Sequence, residues 1–443
     1  DEYAGYGRMQ LAMAHVARPA ERTARSRYPQ GDPNVRANPE SKKEETMTKF
    51  NFDAPVDRRG TLSYKWDSEA RFLGEADVLP MWVADMDFRC PGPMLEALQA
   101  RIEHGVLGYT KRGDGYLDIM QGWFRRRYGW EVDPAWIGWC PPGVIPAVVI
   151  LLDILTKPGD PVLMPMPNYD ALYGAVLNMG RELIEWPLLE TEQGFRMDFP
   201  KLEALIAEHE PGVMVAASPN NPTGRVWTVD ELEEMCALCA RYGITVISDE
   251  AHCDLVFEPN VHTPLGKIEV NQKNNIVLMS PNKTFNVGGL MTASVIIPDA
   301  DLMAEYRRVL NTWAMNLDTT FGTIAVEALY SHPVCEEWLD AVVAYLKRNV
   351  EYVTEFVNGQ IEGVRTRCPE GTYLMWLDFT DTGLRGRELK EFLVKKAHLD
   401  LSDGSEFAPG NDTHMRMNLG CTYATAQEAM RRLKTAIDAH RSR

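Results

Sequence analysis

Beyond about residue 49 the chain alternates short apolar runs with amphipathic stretches. Runs at 161–165, 182–186, 213–217, 244–248 and 275–279 are apolar almost throughout, which predicts strands buried on both faces. The stretches 93–104, 115–128 and 229–242 carry a helical period, and 144–155 reads as a buried helix interrupted by Pro146 and Asp153. Strands alternating with helices predict an α/β unit. After about residue 311 the pattern changes to helices at 334–357, 387–396 and from 425 onward, with a strand at 372–379. This predicts a second, smaller α+β unit. Residues 1–46 lack such patterning and read as a disordered N-terminal extension, whose acidic residues argue against an organellar transit peptide.

In a sheet covered on both faces, ligands bind beyond the carboxyl ends of the strands. Asn221, Asp249 and Lys283 each stand just past a predicted strand. Lys283 follows the run 275–279 in Ser280-Pro281-Asn282-Lys283-Thr284-Phe285-Asn286-Val287-Gly288-Gly289. Desolvating an ammonium is costly, so a lysine at a buried strand end is either a surface residue of an ordinary turn or an amine that becomes neutral and attacks a carbonyl.

Composition narrows the classes. A net charge of -17 opposes binding to a phosphate backbone, so no nucleic-acid partner is expected. No apolar run approaches the roughly 20 residues that span a bilayer, so no membrane partner is expected either. The eight cysteines are scattered, which suggests reduced thiols and a cytoplasmic address. Cys236 and Cys239 form a C-x-x-C, but on a helical period and without a second Cys/His pair, so no metal is expected.

The motifs then acquire a family. Lys283 with Ser280, the turn Asn221-Pro222-Thr223-Gly224, Ser248-Asp249-Glu250 and Met415-Arg416-Met417-Asn418 resemble the fold-type I pyridoxal-phosphate enzymes of the class I/II aminotransferase superfamily. Trp82-Val83-Ala84-Asp85-Met86-Asp87-Phe88, Gly108-Tyr109-Thr110, Asp249-Glu250-Ala251-His252-Cys253-Asp254 and Glu370-Gly371-Thr372-Tyr373 resemble its MalY/PatB cystathionine β-lyase (C–S lyase) branch. The resemblance covers about residue 49 to the end. It implies a large domain with a mostly parallel seven-stranded sheet at 93–313, and a small α+β domain formed by 47–92 and 314–443.

It also implies roles. Lys283 would hold pyridoxal 5'-phosphate and move the α-proton. Asp249 would keep the pyridine nitrogen protonated, unless it is simply a helix cap. Asn221 would donate to the ring hydroxyl, the plain alternative being a turn residue; Tyr169 would stack on the ring or be a core aromatic. His252 would lie near the ring hydroxyl or be a satisfied core histidine. Gly143, Val144 and Ile145 match the phosphate loop, with Ser280 adding a hydroxyl and Tyr109 reaching in from a second subunit of a homodimer. Arg416 would grip the carboxylate of an amino-acid substrate, or make an ordinary salt bridge, and Trp82, Val83, Ala84, Tyr373 and the loop near Asn316 would shape the pocket.

Three departures stand out: Asn282 precedes the lysine where relatives commonly carry Ser, Gly288-Gly289 replaces a small residue plus Gly, and Met291 stands where many aminotransferases carry an arginine. The last is shared by the lyase branch. β-Elimination from a sulfur amino acid is therefore the expected activity, with an aminotransferase as the alternative.

Overall fold

The five apolar runs pair into one sheet, together with two shorter strands that the pattern did not single out. The computed structural model describes residues 50–192 and 194–442; the extension expected at 1–46 lies outside the described residues. In chain order the strands are β1 (Ile137–Cys140), β2 (Pro161–Met166), β3 (Glu182–Pro187), β4 (Val213–Ala217), β5 (Thr245–Asp249), β6 (Asn275–Met279) and β7 (Ala293–Ile296). They lie in the order β1-β7-β6-β5-β4-β2-β3. Only β7 is antiparallel to its neighbours β1 and β6; the pairs among β2 to β6 are parallel.

Successive side chains of a strand point to opposite faces, and here both faces are core. Val246 and Val277 join one apolar cluster while Ile247, Ile276 and Leu278 join the other. This is why the runs are continuous rather than alternating. The helices Val144–Leu155, Asp170–Asn178 and Ala300–Thr312 supply one cluster, and Phe199–His209 and Val229–Tyr242 contribute to the other.

A second sheet is wholly antiparallel. Its strands are β8 (Arg365–Thr366), β9 (Leu374–Asp378), β10 (Ser402–Asp403) and β11 (His414–Asn418), in the order β8-β9-β11-β10. The predicted helix at 334–357 runs from Pro333 to Gln360, with Pro333 at its start, where a missing N–H costs nothing. The last helix is Tyr423–Arg441, capped by the Thr422 hydroxyl accepting from the Thr425 N–H.

Gly224 joins the turn after β4 to the loop before β9. Its carbonyl accepts from the N–H groups of Glu370 (3.0 Å) and Gly371 (3.1 Å). Its φ is +71°, and a Cβ there would stand 2.3 Å from Pro369 Cβ. Gly224→Ala is therefore expected to destabilise the protein by about 2–4 kcal/mol, from left-handed strain plus overpacking. Urea denaturation checks this, and an unchanged midpoint would show that the two loops separate without cost.

Candidate functional site

Because β4, β5 and β6 are neighbours, the residues at their carboxyl ends converge. Asn221 lies in the turn after β4, Asp249 ends β5, and Lys283 sits in a single helical turn, Pro281–Thr284, directly after β6. That turn is fixed at both ends. The Ser280 hydroxyl donates to Thr292 O (2.6 Å) and accepts from the Asn282 N–H (3.1 Å), while the Thr284 hydroxyl donates to buried Asp254 (2.8 Å). Ser280 is thus a cap whose proton is already committed to a carbonyl.

The Lys283 amine donates to the carbonyl of Ala84 (2.8 Å), and the Tyr373 hydroxyl donates to the same oxygen (2.9 Å). Burial, and then the positive charge of Arg416, lower the amine to about 8. Asp249 accepts from the Ala251 N–H (3.0 Å), and burial raises its carboxyl to about 6. Among the described residues no helix begins at Asp249, so this bond closes a turn and the helix-cap role is not observed.

Arg416, on β11, is buried. Its Nη1 donates to Asn221 Oδ1 (2.9 Å) and its Nη2 to the carbonyl of Trp82 (2.8 Å), while Nε has no partner. No ion pair among the described residues includes it, so the ordinary salt-bridge role is not observed. A buried guanidinium without a carboxylate is costly unless an anion completes it. The Arg416 bond also orients Asn221: with Oδ1 engaged, the amide N–H groups are free to face a ligand.

His252 is buried with Nδ1 unpartnered, its ring edge-on to Tyr373 at 6.0 Å. Burial, followed by the charges of Lys283 and Arg416, holds it well below the usual histidine range, so the imidazole is neutral. It is not a satisfied core histidine. Tyr169, at the start of the helix Asp170–Asn178, is partly buried, and burial followed by Asp170 pushes its phenol up to about 12. Gly143 opens the helix Val144–Leu155 at φ +115° with nothing within 4 Å of where a Cβ would stand, so Val144 and Ile145 begin the helix beside open space. Tyr109 is 94 % exposed; within one chain it stands at the surface.

Asn418 and Asn286 lay inside recognised motifs without an assigned task, and Arg58 and Lys65 lay outside them. Asn418 donates to the carbonyls of Val83 and Asp85. Asn286 accepts from the Met86 N–H (2.8 Å) and donates to the carbonyls of Met86 (2.8 Å) and Phe88 (3.0 Å). Arg58 binds Asp85 and Asp87, and buried Lys65 binds Asp87 at 2.8 Å. All of them hold the segment 82–88, whose Ala84 carbonyl engages the lysine. Their signal was a set of amides and charges packed into or ahead of apolar motifs. Cys236 and Cys239 sit buried on the helix Val229–Tyr242, and burial pushes the Cys236 thiol up to about 12. Among the described residues no cluster of three potential metal ligands occurs.

The donor set fits an anionic aromatic aldehyde. It offers an amine of lowered basicity, an inward carboxylate, unpartnered buried polar atoms on His252 and Arg416, and an open helix start.

The comparisons agree. Residues 119–433 match the family model "Aminotransferase class I and II". The chain is 36% identical over 389 residues to cystathionine beta-lyase PatB of Bacillus subtilis, covering 88% of this chain and all of that protein. It is 32% identical over 397 residues to protein MalY of Escherichia coli, again covering 88% of this chain and all of the relative. Cystalysin of Treponema denticola, whose crystal structure contains pyridoxal 5'-phosphate, superposes with a TM-score of 0.85 at 30% identity over 88% of this chain and all of that one. The protein belongs to the class I and II aminotransferase family, alongside the PatB and MalY relatives within it.

Proposed function

We infer that the protein is a pyridoxal-phosphate-dependent carbon–sulfur lyase. It converts cystathionine or a related cysteine S-conjugate into a thiol, pyruvate and ammonia. The observation that carries this reading is the convergence of Lys283, Asp249 and a carboxylate-free Arg416 at one sheet edge, in a chain aligned with the whole of a cystathionine β-lyase.

When bound, pyridoxal phosphate supplies the electron sink that allows the Cα–H bond to break. Asp249 would hold the pyridine nitrogen and favour its protonated form. Asn221 and neutral His252 would serve the ring hydroxyl, and Tyr169 would pack on the ring. The backbone at Gly143, Val144 and Ile145, with Ser280, receives the phosphate; the committed Ser280 proton leaves the backbone the larger share. Arg416 takes the substrate carboxylate, with its unpartnered Nε as the waiting donor. Lys283 Nζ would accept the Cα proton, for which a group near pH 8 is well matched. Ala84 and Tyr373 would flank the departing β-sulfur.

A homodimer is part of this reading. Tyr109 stands exposed together with Val106, Leu107, Trp313 and Leu317, and the Thr110–Asp318 bridge brings these segments side by side. An apolar patch of this kind supports a subunit contact through which Tyr109 reaches the partner's phosphate site. The unpaired thiols support a cytoplasmic address, and no helix among the described residues is long and apolar enough to cross a membrane.

Incubation with L-cystathionine should release homocysteine, pyruvate and ammonia in equal amounts. Amino transfer to a 2-oxo acid without sulfur release would instead favour the aminotransferase alternative. Lys283→Ala should lose the yellow colour of the bound cofactor and at least about a thousandfold in rate. Arg416→Lys should keep the colour and raise KM about tenfold or more, because a point charge replaces a bidentate fork; an unchanged KM would place the carboxylate elsewhere. Because the neutral amine is the nucleophile, capture of pyridoxal phosphate by cofactor-free protein should accelerate as pH rises through about 8 and then level off. Continued acceleration toward 10.5, the ordinary lysine value, would contradict the lowered amine.

A further inference from the structure

The arm 58–71 wraps the segment that carries the Ala84 and Trp82 carbonyls. Arg58 and Lys65 anchor it to Asp85 and Asp87, and the Trp66 indole donates to Asp87 (2.9 Å). Between these anchors stands Tyr64, 64 % exposed although its neighbour Lys65 is buried. Its ring lies 5.1 Å from that of Trp82, whose own indole N–H donates to the Lys65 carbonyl (3.3 Å). The Ser68 hydroxyl donates to the Tyr64 carbonyl (2.5 Å). An exposed aromatic is thus held in place by a buried frame rather than left on a loose loop.

Trp82 ties this aromatic pair to the site, because its carbonyl accepts from Arg416 Nη2 (2.8 Å) and from the Ser402 hydroxyl (3.2 Å). A substrate carboxylate on Arg416 would therefore lie one residue from the pair. Tyr169 is near enough for the Tyr64 phenol to affect its ionisation. The charges flanking the pair are already matched: Arg58 with Asp85 and Asp87, Lys65 with Asp87, and Arg71 with Asp400. A zwitterionic tail meets neutralised partners here; the Arg71 guanidinium already lies over the Trp82 ring (3.8 Å), so the aromatic face left to an apolar group is that of exposed Tyr64.

We propose that Tyr64, seated on Trp82, lies at the mouth of the site and is a specificity residue that selects cysteine S-conjugates with an apolar or aromatic S-substituent over those with a charged one. This rests on the lyase reading above and narrows its substrate class. Burying an aromatic substituent against the Tyr64 ring adds binding that a short leaving group cannot use.

The test compares holoenzyme turnover of S-benzyl-L-cysteine, L-cystathionine and β-chloro-L-alanine in the wild type, Tyr64→Ala and Tyr64→Phe. The wild type should show a higher kcat/KM for S-benzyl-L-cysteine than for cystathionine. Tyr64→Ala should lose about tenfold on S-benzyl-L-cysteine, mostly through KM, and at least about fivefold more than it loses on β-chloro-L-alanine. Tyr64→Phe should restore the preference, since the ring rather than the hydroxyl makes the contact. Equal losses on both substrates, a loss confined to kcat, or a wild type that prefers cystathionine would overturn the proposal while leaving the lyase reading intact. Failure of the wild type to eliminate from any of the three would overturn both.

Discussion

The site depends on who occupies the backbone carbonyls of one short segment. Between Trp82 and Phe88 the chain has no regular hydrogen-bonding partner strand, so its carbonyls must be satisfied by side chains. Arg416 takes Trp82, Asn418 takes Val83 and Asp85, Lys283 and Tyr373 share Ala84, and Asn286 takes Met86 and Phe88. These donors come from β11, from the lysine's turn and from the loop before β9. One irregular segment therefore sets the mutual positions of residues that are far apart in sequence.

Electrostatics follows from the same enclosure. Lys283 and Arg416 share a poorly solvated site in which Asp85 and Asp249 act on the lysine and Asp170 and Glu406 on the arginine. Arg416 lowers the lysine's hold on its proton, and burial together with the two cations keeps His252 neutral. Such an arrangement is unfavourable for a resting protein, and structures retain it where a ligand's negative groups offset it. The acidic cluster around Asp85 and Asp87 is handled in the opposite way, with Arg58 and Lys65 matched to it.

Much of this was legible from the chain. The runs at 213–217 and 275–279 coincide with β4 and β6, because a strand buried on both faces leaves an unmistakable apolar block. The helix at 229–242 was equally clear from its helical period, and the structure adds a capping box of Thr228 and Glu231 at its start. β1 and β7 escaped notice: Ile137–Cys140 holds a glycine and a tryptophan, and Ala293–Ile296 is only four residues long. At the site, Lys283, Asp249 and Asn221 announced themselves as polar residues at strand ends. Asn286 and Asn418 did not, because an amide that binds backbone carbonyls looks in sequence like any loop amide. Arg416 showed its identity but not its condition, since the lack of a carboxylate partner is a three-dimensional fact.

The reversal of β7 has a consequence for how the lysine is held. A parallel successor to β6 would require a crossover of a dozen or more residues, carrying the chain to the far end of the sheet. Instead the chain turns back through 280–292 and pairs at once, Ser294 opposite Met279, with Ser280 bonded to Thr292 across the mouth of the loop. The reactive amine thus rides on a loop closed at its base by antiparallel pairing, whereas Asp249 is set beside it by the parallel pairing of Asp249 with Leu278. Chain-length changes within 284–292 would shift the amine and, through Asn286, the segment 82–88, while leaving the parallel sheet, with its carboxylate and amide, in register.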